Sequence, residues 1–405
     1  MSTTNKIIYS LNVEKEYIEN HNIKEKIYET TFQSYAILNS SGEEGETTDN
    51  YHSVILEHPS KRLLSFAPPI HTSDFASFVG DNNDEAYVNE FVEGTFIHLF
   101  YDKRISSWEI ATKRAIGGMY SYFHIPGKES ITYREMIMEA FREKDMDLNE
   151  LSFLEFLPKN YCYSFVLQHP TNHIVIPIEI PKMHLVSVYE IDDDKNTATF
   201  ISPFVYQSWP EFTNLQDGVI YFPKQFICSI YNNYTNLIQT NASIHTPYTQ
   251  MGLMFTNLNT GKRCSIINPN YEEISKIRGN HTNLHYQYLC LRRINKVMHF
   301  LNYFPQYKSL FYEYKEQMDN FINNIHQSYI SYYVKKSGVF ISKKYFTIIY
   351  SIHHTVFIPS ITSSYEKTII KRSVIKEFIN KMDPGKILHI LNSDLLPSYT
   401  PSIKS

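Results

Sequence analysis

The sequence predicts an α+β protein, an antiparallel-sheet domain followed by an all-helical one, and three observations predict it. Short β-branched and aromatic runs bounded by turn residues fill the stretch from Tyr51 to about Tyr206. In the last third the apolar spacing lengthens to three or four residues, the helical period. The chain has 405 residues, enough for two to three domains with buried cores.

Residues 1–50 read as a helical and loop segment leading into the body: the first 30 look helical and polar, and Ser40–Asn50 (SSGEEGETTDN) is an acidic loop. The body, residues 51–284, should carry strands at HSVILEH (His52–His58), RLLSFA (Arg62–Ala67), GTFIHLFY (Gly94–Tyr101), SSWEIATK (Ser106–Lys113), YSFVLQH (Tyr163–His169), HIVIPIEI (His173–Ile180) and HLVSVYEI (His184–Ile191). A helix interrupts them at Thr132–Met146. Asp192–Asn196 reads as a hairpin turn. It opens like a calcium loop, but Thr197 stands where glycine is needed and Pro203 where glutamate is needed.

Residues 285–405 read as the helical domain. Phe311, Tyr314, Met318, Phe321, Ile325, Tyr329 and Tyr333 recur at helical spacing and predict one long amphipathic helix ending near Ser337 and Gly338. Such a stripe is expected to pack against a neighbouring helix. Further helical patterns lie around Phe346–Phe357 and Val374–Met382, and Ser363 and Glu366 have capping-box spacing.

Composition excludes several classes of function. Glycine contributes only 13 residues, and no GxxxxGK, strand-following GxGxxG, HExxH or GxSxG motif occurs. Cys162, Cys228, Cys264 and Cys290 have no close pair, the pattern of reduced packing thiols in an intracellular protein. No apolar stretch has signal-peptide or membrane-spanning character, so neither secretion nor a membrane span is expected. The histidine pairs His281/His285 and His353/His354 lack a third ligand, and no metal site is expected.

Charge is uneven. Residues 285–405 hold 16 Lys/Arg against 7 Asp/Glu, and the remainder 22 against 35. A basic third beside an acidic body fits either a phosphate-binding surface or two docking domains. The candidate phosphate contacts are the pairs Arg292/Arg293, Lys335/Lys336, Lys343/Lys344 and Lys371/Arg372. Tyrosine is abundant, 32 residues, and exposed rings could stack on unpaired bases, although the chain is rich in Tyr, Asn, Ile, Lys and Phe throughout.

The order of segments is more specific than any one of them. FVEGTFIHLFYD (Phe91–Asp102) is followed by WEIATKRAIGG (Trp108–Gly118), YSFVLQHPTNHIVIPIEIPKMHLVSVYEI (Tyr163–Ile191), QMGLMFTNLNTG (Gln250–Gly261) and RCSIINPNYEEI (Arg263–Ile274). This succession resembles the phage-type ATP-dependent RNA ligases of the covalent nucleotidyltransferase superfamily, of which large DNA viruses carry diverged relatives. The family order is KxDGS, an SKGS-like strand, FEFxxPTNRIV, EGYV and KxK before an aromatic. The resemblance spans roughly residues 50–275, and it implies an ATP-grasp-like ligase sheet domain with a helical domain after it.

In that family a lysine attacks the α-phosphate of ATP, further lysines neutralise phosphate charge and carboxylates place a divalent metal. Carried across residue by residue, the nucleophile falls on Phe91, while Glu93 and Gly94 are kept. The third motif's glutamate falls on Val166 and its arginine on His173. The EGYV glutamate falls on Met251, with Gly252 kept; the KxK lysines fall on Ser265 and Ile267, with Tyr271 kept. An upstream arginine falls on His52. Scaffold residues remain and, Glu93 apart, the reactive charges are gone.

The resemblance therefore implies a pseudoenzyme: a nucleotidyltransferase scaffold that binds RNA or protein in a large DNA virus, in host cytoplasm or virion, with no cofactor and its former pocket filled as core. Two alternatives stand beside it. An active enzyme could use a relocated nucleophile, Lys113 foremost and Arg114, Lys61 or Arg62 also near, with ATP and magnesium as cofactors. A structural interaction protein of unrelated α+β fold is the other.

Overall fold

A computed structural model describes residues 6–40, 48–80, 86–121, 130–142, 152–213, 220–231, 233–279, 281–338, 340–363 and 368–393. The chain divides into two compact units, Met1–Lys276 and Ile277–Ser405. The first is built on strands, as alternation of apolar and polar residues dictates. In chain order these are β1 (Ile8–Ser10), β2 (Lys24–Glu29), β3 (Ser34–Asn39), β4 (His52–His58), β5 (Leu63–Ser65), β6 (Tyr87–Glu90), β7 (Thr95–Asp102) and β8 (Ser107–Thr112). There follow β9 (Ala115–Ile116), β10 (Tyr161–Gln168), β11 (Lys182–Asp192), β12 (Thr197–Ile201), β13 (Ile220–Tyr221), β14 (Gln225–Phe226), β15 (Gly252–Thr256) and β16 (Arg263–Ile267).

They form three sheets. The largest runs β1-β12-β11-β10-β7-β8-β9, with β13 beside β11; the others run β14-β6-β15-β16 and β2-β3-β4-β5. Apart from the parallel β11–β13 pair, the strand pairs are antiparallel. The period of two splits β7 cleanly. Ile97 and Leu99 join Phe165, Leu167 and the helix Tyr133–Arg142 in one core, while Phe100 joins Ile37, Leu38, Val54, Ile55 and Leu56 in another. The third sheet has a core of its own around Val88, Leu253, Phe255 and Cys264.

Two sequence expectations need correction. The helix expected over the first 30 residues is confined to Lys15–Asn20, because β2 pairs with β3 and β3 with β4 in one sheet. HIVIPIEI forms no strand. Pro177 and Pro181 bring no N–H to a ladder, and the amides of Ile174, Val175 and Ile176 turn instead to the carboxylate of Glu93, at 2.7–3.4 Å. The remaining expected strands lie within a few residues of β4, β5, β7, β8, β10 and β11, and β11–β12 is the expected hairpin. Most of the acidic loop, the end of the helix expected to Met146, and Glu366 of the capping-box pair lie outside the described residues.

In the second unit the amphipathic stripe forms the helix Lys308–Tyr329, continued by a π-helical turn at Ile330–Val334. Phe311, Tyr314, Met318, Phe321, Ile325 and Tyr329 are buried, and Tyr333 is half-buried. Phe311 stacks on Phe300 with centroids 5.1 Å apart, and Tyr314 on His285 at 4.2 Å. The other two patterns fall on Lys343–Ile352, with a second π turn at His353–Phe357, and on Arg372–Lys381.

The two glycines kept from the motifs mark places where strands meet too closely for a side chain. A Cβ at Gly94 (φ +157°) would collide with the Leu167 carbonyl and lie 2.6 Å from Val166 Cγ1; one at Gly252 (φ +154°) would collide with the Ile266 carbonyl. Gly252→Ala should therefore cost about 1–3 kcal/mol of stability, whereas Gly80→Ala, where no atom lies within 4 Å of the added carbon, should stay within about 0.5 kcal/mol. Urea unfolding midpoints of the two variants check the contrast.

Candidate functional site

Phe91–Gly94 is the short crossing between β6, in the four-stranded β14–β16 sheet, and β7, in the large sheet. The crossing is pinned at three points. The Phe91 amide donates to the Gly252 carbonyl (3.0 Å); Gln168 donates to the Glu93 carbonyl (3.0 Å); and the Glu93 side chain, 3% exposed, gathers the three amides of residues 174–176. The PTN turn docks beside it, where buried Asn172 donates to Thr95 Oγ1 at 2.8 Å. Glu93 and the turn act as fasteners.

Beside the crossing a cavity of about 240 Å³ opens. Seven of the eleven sequence-matched positions line it: His52, Phe91, Glu93, Gly94, Val166, Met251 and Tyr271. The other four do not. His173 bonds through Nδ1 to the Pro170 carbonyl (2.8 Å), Gly252 is buried behind Met251, Ser265 is buried opposite Met254, and Ile267 is 41% exposed. Phe91, Val166 and Met251 are half-buried walls, so the expectation of a filled pocket is overturned. The walls belong to two separate sheets held by backbone hydrogen bonds, and the apolar side chains on them leave the gap open.

Lys113 also lines the cavity, with Nζ 5.5 Å above the Phe96 ring. Its backbone carbonyl is fixed by Asn39 and Ser53, each at 3.2 Å. Burial, with Arg263 and then Arg114 near it, brings the ammonium down to about 8. Arg263, missed by the motif alignment, lies on the same face of β16 as Ser265, two residues before it, and donates to the Pro69 carbonyl (3.4 Å). Strand parity was the signal that could have found it. His71, also missed, packs edge-on against Phe91 at 5.5 Å and follows a proline-rich loop that carries no motif. Lys113, Arg263, His52 and His71 thus bring basic groups to one cavity.

Carboxylates are sparse there. Glu93 is committed to backbone amides, and burial pushes the Glu90 carboxyl up despite Lys224 and Lys182. Among the described residues no group of three His, Cys, Asp or Glu side chains could hold a metal ion. Burial and the Glu93 carboxylate push the Tyr271 phenol well up, so it faces Glu93 as a neutral donor. The arrangement can hold an anion against Lys113 and Arg263 with aromatic rings around it.

Of the proposed basic contacts in the second unit, Arg292 is half-buried and donates to Asn380 (2.6 Å), and Arg372 pairs with Asp319 (3.3 Å). Arg293, Lys335, Lys336, Lys343 and Lys371 are exposed. Lys344 is half-buried, its Nζ 5.1 Å over the Tyr345 ring.

No protein-family model matches the chain. It is 22% identical over 348 residues to the immediate-early protein ICP-46 homolog of Invertebrate iridescent virus 6, covering 82% of this chain and 73% of that protein. It is 23% identical over 241 residues to the homolog of Invertebrate iridescent virus 3, covering 58% and 47%. It is 31% identical over 109 residues to an RNA ligase of Rhodothermus phage RM378, covering 26% and 23%. Among solved structures, a Naegleria gruberi RNA ligase with PPi superposes at a TM-score of 0.37 with 12% identity, covering 53% of this chain and 65% of that one. A mutant of the same enzyme with ATP and Mn superposes at 0.36 with 11% identity, covering 67% and 84%. No helix among the described residues is long and apolar enough to cross a membrane.

Three buried or half-buried imidazoles, two of them at the cavity wall, dictate a pH dependence. Burial, with nearby cations, lowers His52 and His71 from 6.5 to about 4; burial lowers His98, held between the Ser53 and Ser65 hydroxyls at 2.8 and 2.9 Å, to about 3. The unfolded chain takes up these protons near pH 6.5 and the folded chain does not, so stability is full above 6.5 and is lost progressively as pH falls toward 4. The melting temperature should drop over that window, and the drop should be shallower in a His52→Asn/His71→Asn variant, as calorimetry at stepped pH would show.

Proposed function

For this distant relative of RNA ligases, homologous to iridovirus ICP-46 proteins and to a phage RNA ligase, we propose that the ligase cleft survives as a non-covalent binding pocket in a catalytically inactive scaffold. The observation that carries this reading is Phe91, a phenyl ring in the cavity at the position where the family places its nucleophile. Val166 and Met251 line the same space in place of two carboxylates. Removing one transition-state electrostatic contact alone costs about a hundred- to a thousand-fold in rate. The pocket keeps Lys113 and Arg263 for an anionic, nucleotide-like ligand, and the whole chain serves as an RNA- or protein-binding component of a large DNA virus.

Incubation with α-labelled ATP and magnesium should leave no label on the denatured protein. A thermal-shift titration with ATP should raise the melting temperature by a few degrees, since ligand at tenfold its Kd adds about 1.4 kcal/mol to the native state. Arg263→Met should abolish the shift. An absent shift in the unmodified protein would remove the nucleotide from the reading.

The lowered ammonium of Lys113 supports a second reading, a relocated nucleophile. Its nitrogen would attack the α-phosphorus of ATP, the bond to the β-phosphate oxygen would break, and pyrophosphate would leave with the lysine proton passing to solvent. A labelled band lost in Lys113→Ala would establish it and displace the first. Lys113→Met separates the two readings further: under the first it weakens ATP's thermal shift and there is no label to lose, whereas under the second it abolishes the label.

A further inference from the structure

Residues 320–365 contain four lysines, Lys335, Lys336, Lys343 and Lys344, and no aspartate or glutamate over 46 positions. Those lysines stand in the connection between the helix that ends with the π turn Ile330–Val334 and the helix Lys343–Ile352, and in the first turn of the latter. Around that connection the rings form a continuous series. Tyr333 contacts Tyr332 at 4.8 Å, Tyr332 contacts Phe346 at 5.3 Å, Phe346 contacts Tyr350 at 6.3 Å, and Tyr350 contacts His354 at 4.1 Å. Three of its rings are open to solvent, Tyr332 at 44%, Tyr350 at 50% and His354, while Tyr333 and Phe346 are half-buried; Phe340, in the connection, is 91% exposed.

A helix face needs none of this for its own stability. The buried stripe of the same helices, Phe321, Ile325, Tyr329, Ile348, Ile349 and Ile352, already supplies their packing. Exposed rings bordered by lysines, in a stretch of sequence without an acidic residue, match the two things an unpaired nucleic-acid strand presents, flat bases and a phosphate line. A duplex offers only the second. Tyrosine and histidine rings, with polar edges, suit stacking on bases better than insertion among lipid chains.

We propose that this aromatic and lysine patch on the helical unit binds single-stranded nucleic acid. It names the ligand for the RNA-binding part of the function above and does not depend on what the cleft holds.

The test uses the full chain and fluorescence anisotropy with unstructured 20-nucleotide RNA, the same sequence as DNA, its duplex, and vesicles containing anionic lipid. Single strands should bind at least tenfold more tightly than the duplex, with the RNA and DNA arms deciding whether the 2′-hydroxyl matters. Tyr332→Ala/Tyr350→Ala should weaken binding at least fivefold, and Tyr332→Phe/Tyr350→Phe should retain it, which separates lost stacking from lost folding. Replacing the four lysines by glutamine should lower the salt slope by about 0.7 for each phosphate contact removed. Equal or tighter binding to duplex, binding to vesicles without binding to oligonucleotide, or undiminished binding in both sets of variants would overturn the proposal. Loss of oligonucleotide binding in Arg263→Met with the patch variants unaffected would also overturn it, while leaving the cleft reading intact.

Discussion

One carboxylate holds the centre of the strand-built unit. Glu93 is buried at the point where the chain crosses from one sheet to another, and its two oxygens accept the amides of Ile174, Val175 and Ile176. A buried carboxylate is costly unless its lone pairs are met, and three amides together with the Tyr271 phenol meet them. The same contact satisfies a run of backbone that two prolines bar from joining a sheet. Most of its partners are backbone amides, which substitution of the side chains at 174–176 does not remove.

The fold was legible where periodicity carries it. Alternation located β4, β7, β8, β10 and β11, and the spacing from Phe311 to Tyr329 located the long helix. It failed for HIVIPIEI because a run of β-branched residues has the same composition whether its amides face a neighbouring strand or a buried carboxylate. The polar N-terminal segment misled for a related reason: Lys24–Glu29 is an edge strand with one half-buried residue, so it lacks the apolar alternation that separates strand from helix.

The candidate site was half legible. Motif order brought His52, Phe91, Glu93, Gly94, Val166 and Met251 to one cavity, although they are spread over 200 residues of chain. What composition could not convey is volume. Replacing a charged side chain with phenylalanine or methionine reads as filling, yet the space is set by how far apart two sheets are held, a distance encoded by Gly94, Gly252 and Glu93. Arg263 was invisible for a simpler reason, since the alignment asked for charge at Ser265 and the strand supplies it one full period earlier.

The largest sheet is bordered by its two shortest strands in the β1-to-β9 order. One side ends in the three-residue β1, paired with Thr197–Thr199 of β12, and the other in the two-residue β9, paired with Ala111 and Thr112 of β8. The Tyr9 ring stacks on Phe66 at 5.0 Å and meets Tyr189 at 6.1 Å, anchoring that short cover to the core. At the β1 margin so short a border offers too few free amide and carbonyl groups for a second molecule to extend the ladder. Strand addition is thereby discouraged at that margin.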